Sequence, residues 1–260
     1  MNRKILKSKF PIKLFWIIIL LIAWEITAIS GIFPPAIFPS LSLIIKALAE
    51  SIFSGEIVEQ TLFSLLLISE GLIIGLGGAI IISSLSVINK IFNSLVETLT
   101  AIAHPLPGIA LLPLIIIWFG TGTRSIVVII IHSVIWPMII NIMTGFRSIP
   151  KIYREAGLNM GLSQYRIIKD IMVPASLPYF LSGIRIGWAR SWRALISAEM
   201  IFGAVGAKGG LGWYIFKQRV FMDTPGMFAG LAVIIFIGII VEDFVFAVVE
   251  NNTVKKWGMI

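Results

Sequence analysis

Long apolar runs separated by short polar breaks set the pattern of this chain. Residues 71–88, 125–146 and 224–241 hold no acidic or basic side chain, over about the 20 residues a helix needs to cross hydrocarbon. They are apolar on every side, whereas a membrane β-barrel alternates apolar and polar positions in segments of about ten residues. The pattern predicts an all-α membrane protein with six transmembrane helices, at 12–30, 60–88, 93–119, 124–147, 174–203 and 225–249. Residues 1–260 read as a single transmembrane domain with no appended soluble domain. Composition agrees, with 58% hydrophobic and 13% charged residues and a mean hydropathy of +0.99, far from a soluble domain with a polar surface.

The most polar break is residues 148–174, SIPKIYREAGLNMGLSQYRIIKDIMVP. Pro150 permits a helix to start, and Pro174 is placed at the head of the fifth span. Gly161 and Ser163 predict a short first helix stopping near the glycine and a second starting at the serine. The result is a helical hairpin. In its second half, helical spacing puts Tyr165, Ile168, Ile171 and Met172 on one side, with Arg166, Lys169 and Asp170 toward water. The first half, Glu155 to Asn159, is short, small-sided and exposed, a shape that enters a groove on another protein.

Charge gives the orientation. With the N-terminus inside, 13 of the 21 Lys and Arg lie in inner segments. Five lie in outer ones (Lys46, Arg124, Lys208, Lys217, Arg219), and Arg185, Arg190 and Arg193 sit within span five. Cytoplasmic segments carry this excess, so both termini and the hairpin are expected in the cytoplasm, in a multi-pass prokaryotic plasma (inner) membrane protein. The formal net charge of +8 is thereby an orientation signal, and no nucleic-acid partner is expected. The basic then apolar N-terminus resembles a secretory signal, but Trp24 and Glu25 follow where a small-x-small cleavage site would stand, so an uncleaved span is expected.

Two outer segments are distinctive. After Pro34, Pro35 and Pro39, Ser40 is the expected cap of a helix carrying Leu41, Ile44, Ile45, Leu48 and Ile52 at helical spacing along the outer interface. Residues 203–225 mix glycines with aromatics. They fit either a docking partner or an interfacial loop holding Trp213 and Tyr214 at headgroup level.

No cysteine is present, which excludes disulfides, thiolate metal sites and cysteine nucleophiles. The acids and the two histidines lack metal-ligand spacing, and no nucleophile has an evident base. No phosphate-binding G-x-x-x-x-G-K-[ST] occurs; the stretch around Lys208 has neither its spacing nor its hydroxyl. The chain is not expected to be an enzyme or to bind a cofactor.

Charges inside a bilayer cost at least about 2.5 kcal/mol each near its centre, so they face the bundle interior or a wet cavity. Arg190 and Arg193 are three apart on one helix face, about 24 and 28 Å along the span counted from Pro174. Two roles are open to them: lining a path for an anion, or pairing with Glu199 and the acids of other spans. Arg185 has the same two readings. His132 either titrates during transport or bonds a neighbouring helix. The break made by Pro105 and Pro107 beside His104 either lines a cavity or bends the helix. The pairs Gly71/Gly75, Gly183/Gly187 and Gly226/Gly230 are expected to pack helices closely.

The polar break also carries a motif. Glu155-Ala156-Gly157, three residues, Gly161, nine residues, then Ile171-Met172-Val173-Pro174 resembles the cytoplasmic E-A-A loop of permease subunits of ATP-binding-cassette (ABC) importers. Gly157 replaces the second Ala and Val173 a Leu. FPSLS, HPLPGIALLPLIIIWFGTGTRS and SGIRIGWARSWRALISAEM extend the likeness to the nitrate/sulfonate/taurine branch. The resemblance implies the type I importer permease fold and a homodimer working with two ABC ATPase subunits and an extracytoplasmic substrate-binding protein. ATP and Mg would be used by the ATPase. The hairpin would be the coupling helix, contacting the ATPase through Glu155, Ala156, Gly157, Asn159 and Gly161. Arg190, Arg193, Glu199 and His132 would belong to the translocation path of a small, anionic solute (nitrate, sulfonate/taurine or bicarbonate-like). A secondary transporter or channel for such an anion, working without an ATPase, is the alternative reading.

Overall fold

A computed structural model describes residues 3–203 and 209–256, with side chains from residue 12 onward. Lys208 therefore lies outside the described residues. The elements are α1 (Arg3–Ile29), α2 (Leu41–Phe53), α3 (Glu56–Ile88), α4 (Lys90–Ala103), a 3-10 turn (Gly108–Leu111) leading into α5 (Leu112–Phe119), and α6 (Thr123–Ser148). They continue as α7 (Lys151–Asn159), α8 (Gln164–Ala175), α9 (Leu177–Phe202), α10 (Leu211–Val220) and α11 (Thr224–Asn252). No strand occurs among the described residues.

Helices α1, α3, α6 and α11 are each long and apolar enough to cross a membrane. Two bent pairs raise the count to six if each is one span: α4 with Gly108–Phe119, bent by 90°, and α8 with α9, bent by 70°. The first bend falls at Pro105 and Pro107, whose rings deny the backbone its ladder. The second departs from the sequence expectation. Span five starts at Leu177, with Pro178 in its first turn, while Pro174 sits inside α8.

The chain forms two compact units. In the larger (residues 60–213 and 234–260), α6 is central: 61% of its apolar window is buried, against none for α1 and α11. Within lipid no hydrophobic force drives helix onto helix, so close packing at small residues does the work. The face of α9 carrying Gly183, Gly187 and Ser191 lies on α6. A methyl added at Gly183 would stand 2.9 Å from Met138 Sδ, one at Gly187 would stand 3.5 Å from Val134, and the Ser191 hydroxyl donates to the Ile130 carbonyl at 3.5 Å. Gly71 and Gly75 of α3 meet the same Ile130 and Val134. Helices α3 and α6 therefore run parallel and α6 and α9 antiparallel, as spans two, four and five of one chain must.

In the smaller unit (residues 1–59 and 214–233) the Trp24 ring stacks on Phe38 at 4.1 Å and meets Phe228 edge-on at 5.1 Å. Its indole N–H donates to the Pro39 carbonyl at 3.0 Å. Ser40 stands at the N-cap of α2 as expected, in extended backbone, but its side chain caps no N–H of the helix. The Ser40 hydroxyl bonds Ser42, and the Glu25 carboxylate instead accepts the Leu41 N–H at 2.7 Å. A carboxylate is favoured at a helix N-terminus, where the N–H groups are unpaired and the helix dipole is positive. Gly230 lets Tyr214 and Ile215 approach, while Gly226 is crowded by Asp223, which caps α11.

Candidate coupling hairpin and translocation cavity

The hairpin is built from its glycines. Helix α7 ends where Gly161 adopts φ +76°, a left-handed conformation that costs other residues about 1–2 kcal/mol. The Leu162 N–H then donates to the Gly157 carbonyl at 3.0 Å and the Gly161 N–H to Leu158 at 2.9 Å, the paired bonds of a Schellman turn. Ser163 starts α8, its hydroxyl accepting the Arg166 N–H at 3.4 Å. Gly157 is the buried residue of α7. A methyl there would sit 2.9 Å from Ile171 Cδ1 and 3.3 Å from Ile167 Cγ1, so glycine is what lets α8 close onto α7.

The rest of α7 stands free. Glu155, Ala156 and Asn159 are exposed, and beside them Ile152 and Met160 are 68% and 78% exposed. This is an apolar patch with acceptors on a short, stiff projection. One detail of the expected amphipathic face is corrected: Tyr165 is exposed and Ile167 fully buried. A π-helical turn over Ile167–Met172 widens the winding and rotates the face by about one position.

At the Pro105/Pro107 break lies a cavity of about 320 Å³ that gathers Arg190, Arg193 and His132. His104, Trp136 and Ser197 also line it, and no carboxylate does. The break thus both bends the span and lines a cavity. Arg190 Nη1 lies 3.1 Å from His104 Nε2. A guanidinium only donates, so Nε2 is the acceptor of this bond. Arg193 donates to the Ala189 carbonyl of its own helix at 3.0 Å. The His132 ring, beside the Ala103 backbone, and the Trp136 N–H are buried in the same lining. The third arginine of α9, Arg185, forms a half-exposed ion pair with Glu242 at 3.4 Å.

Glu199 is not with them. It is 1% exposed and accepts from the Ser64 hydroxyl at 2.8 and 2.9 Å and from the Gly212 N–H at 2.9 Å, while the Leu211 N–H donates to the same Ser64 oxygen at 2.9 Å. A methyl at Gly210 would overlap the Glu199 carboxylate, and one at Gly212 the Ile196 carbonyl. Glu199 is thus the centre of a buried strut that holds residues 210–212, and neither arginine pairs with it. Sequence reasoning missed Ser64 and these glycines as partners; the G-G-x-G spacing at 209–212 was the available signal. No group of three or more metal-ligating side chains occurs among the described residues.

Comparisons with known proteins fit this geometry. Residues 71–255 match the family described as binding-protein-dependent transport system inner membrane component. A putative ABC transporter permease of Methanocaldococcus jannaschii is 28% identical over 225 residues, 85% of this chain and 83% of that one. A putative aliphatic sulfonates transport permease of Bacillus subtilis is 26% identical over 227 residues, 87% and 81% of the two chains. A chain of the MetNI methionine ABC transporter, solved in inward-facing conformations, superposes with a TM-score of 0.55 at 14% identity, over 83% of this chain and 98% of that one, and shows the shared fold. With bent spans, a protruding hairpin and a family match over most of its length, the chain belongs to the inner membrane permeases of binding-protein-dependent ABC transport systems.

Proposed function

We propose that this permease imports a small anion by alternating access, driven by soluble ATPases that grip the 151–175 hairpin from the cytoplasm. Two copies of the chain, two ATPase subunits and an extracytoplasmic binding protein make up the working assembly, with both termini cytoplasmic. The chain has no phosphate-binding loop of its own, so ATP and Mg act in the partner. Closure of the ATPases draws the two hairpins together, and the α8–α9 bend converts that motion into a swing of span five against α6.

The cargo's charge is read from the cavity. Two guanidiniums, two neutral-capable imidazoles and no carboxylate face one space of about 320 Å³, which lowers the barrier for an anion and raises it for a cation. The size suits nitrate, a small sulfonate such as taurine, or bicarbonate, and a relative is named for aliphatic sulfonates. In proteoliposomes holding the permease, its ATPase and a loaded binding protein, the Arg190→Gln/Arg193→Gln double variant should cut anion uptake at least tenfold, about 1.4 kcal/mol of barrier per tenfold. Binding-protein-stimulated ATP hydrolysis should persist. Unchanged uptake would place the path elsewhere.

A further inference from the structure

A second cavity, of about 370 Å³, opens where the hairpin meets the ends of the spans. It lies between the C-terminal end of α3, the start of α4, the end of α6 and the two hairpin helices. Lys90, Arg147, Lys151 and Arg154 line it and no carboxylate does. Arg147 is spoken for, since it forms an ion pair with Glu97 and reaches toward Asn93. Lys90, Lys151 and Arg154 make no ion pair among the described residues. Three uncompensated cations from two separate segments therefore converge on one space. Each head reaches solvent, and together they make the space electropositive and favour an anion in it.

The lining also has an apolar part: Val87, Met143, Phe146, Ile149 and Met172 wall the same space. A free inorganic anion gains nothing from that wall. An amphiphile with a negative head and a hydrocarbon body gains from both. The cavity also stands at the ends of α3 and α6, two helices long and apolar enough to cross a membrane, and basic pockets between such helices take lipid phosphates.

We infer that this cavity, at the joint of the hairpin and the bundle, binds the phosphate of an anionic phospholipid. Lys151 and Arg154 belong to α7 and Lys90 to the start of α4, so a bound lipid ties the hairpin to the bundle. The inference rests on this chain's cavity and not on the nature of the cargo.

Native mass spectrometry of the full-length permease, titrated with phosphatidylglycerol and separately with phosphatidylcholine, tests it without any transport step. Phosphatidylglycerol should bind at least tenfold more tightly, with the preference shrinking in concentrated salt. Lys90→Ala/Lys151→Ala/Arg154→Ala should erase the preference, and a control triple at Lys13, Lys255 and Lys256 should keep it. Equal binding of the two lipids by the wild type would overturn the proposal, whatever the variants do. So would retention of the preference in the cavity triple, or displacement of the lipid by an equal concentration of inorganic phosphate or glycerol phosphate, which would mark a free-anion site.

Discussion

Gly161→Val is expected to leave the permease folded and in the membrane while reducing binding-protein-stimulated ATP hydrolysis and uptake by at least tenfold. At φ +76° a non-glycine residue loses about 1–2 kcal/mol, and a β-branched one more. No neighbour lies within 4 Å of the added carbon, so the penalty is one of backbone alone. The hairpin has little with which to offset it, because α7 meets α8 along the single line at Gly157. The chain would relieve the strain by opening the Schellman turn, tilting α7 away from α8. The bundle around α6 is untouched, so insertion and thermal stability should hold. Gly161→Asn separates backbone from bulk, since asparagine tolerates the left-handed region and should retain most coupling. Equal loss in both variants would mean that the space at 161, not its conformation, matters.

Glu199→Ala is expected to destabilise the protein by about 3 kcal/mol or more, read as a lowered unfolding temperature in detergent. The change strands the Ser64 hydroxyl and the Gly212 N–H in a site that is 1% exposed, and each buried donor left without an acceptor costs about 1–3 kcal/mol. Ser64→Ala should cost less, because the Gly212 bond to Glu199 survives, although the Leu211 N–H loses its acceptor. Gly210→Ala should cost about as much as Glu199→Ala, since its methyl would occupy the carboxylate's place. A Glu199→Ala protein of wild-type stability that has lost only transport would return Glu199 to the translocation path.

Much of the architecture is legible in the sequence because its causes are local. Run length marks the spans, proline positions foretell the break at 105–107, and Gly161 and Ser163 mark the turn of the hairpin. What escapes depends on residues far apart in the chain. Glu199 and the arginines share one helix, and only the fold shows that Arg190 turns to His104 while Glu199 turns to Ser64 and the glycine-rich run at 209–212. Pro174 reads as the head of span five; Pro178 fills that place, beyond a bend at Ser176 that the two prolines flank. Tyr165 is misplaced by the sequence pattern because a period of 3.6 fails across a π turn, which the sequence does not announce.

The claim on which the rest depends is that the hairpin projects into the cytoplasm and seats in a soluble ATPase. The chain has no cysteine, so Asn159→Cys installs a single, exposed thiol on α7. Attaching a short thiol-to-amine crosslinker to it in membranes bearing the cognate ATPase should yield a permease–ATPase adduct whose amount changes with ATP. Phe53→Cys, which puts a matching thiol at the end of α2, should yield none. Modification of the α7 thiol by an impermeant reagent from the external side, or an ATPase adduct no more abundant than from position 53, would contradict it.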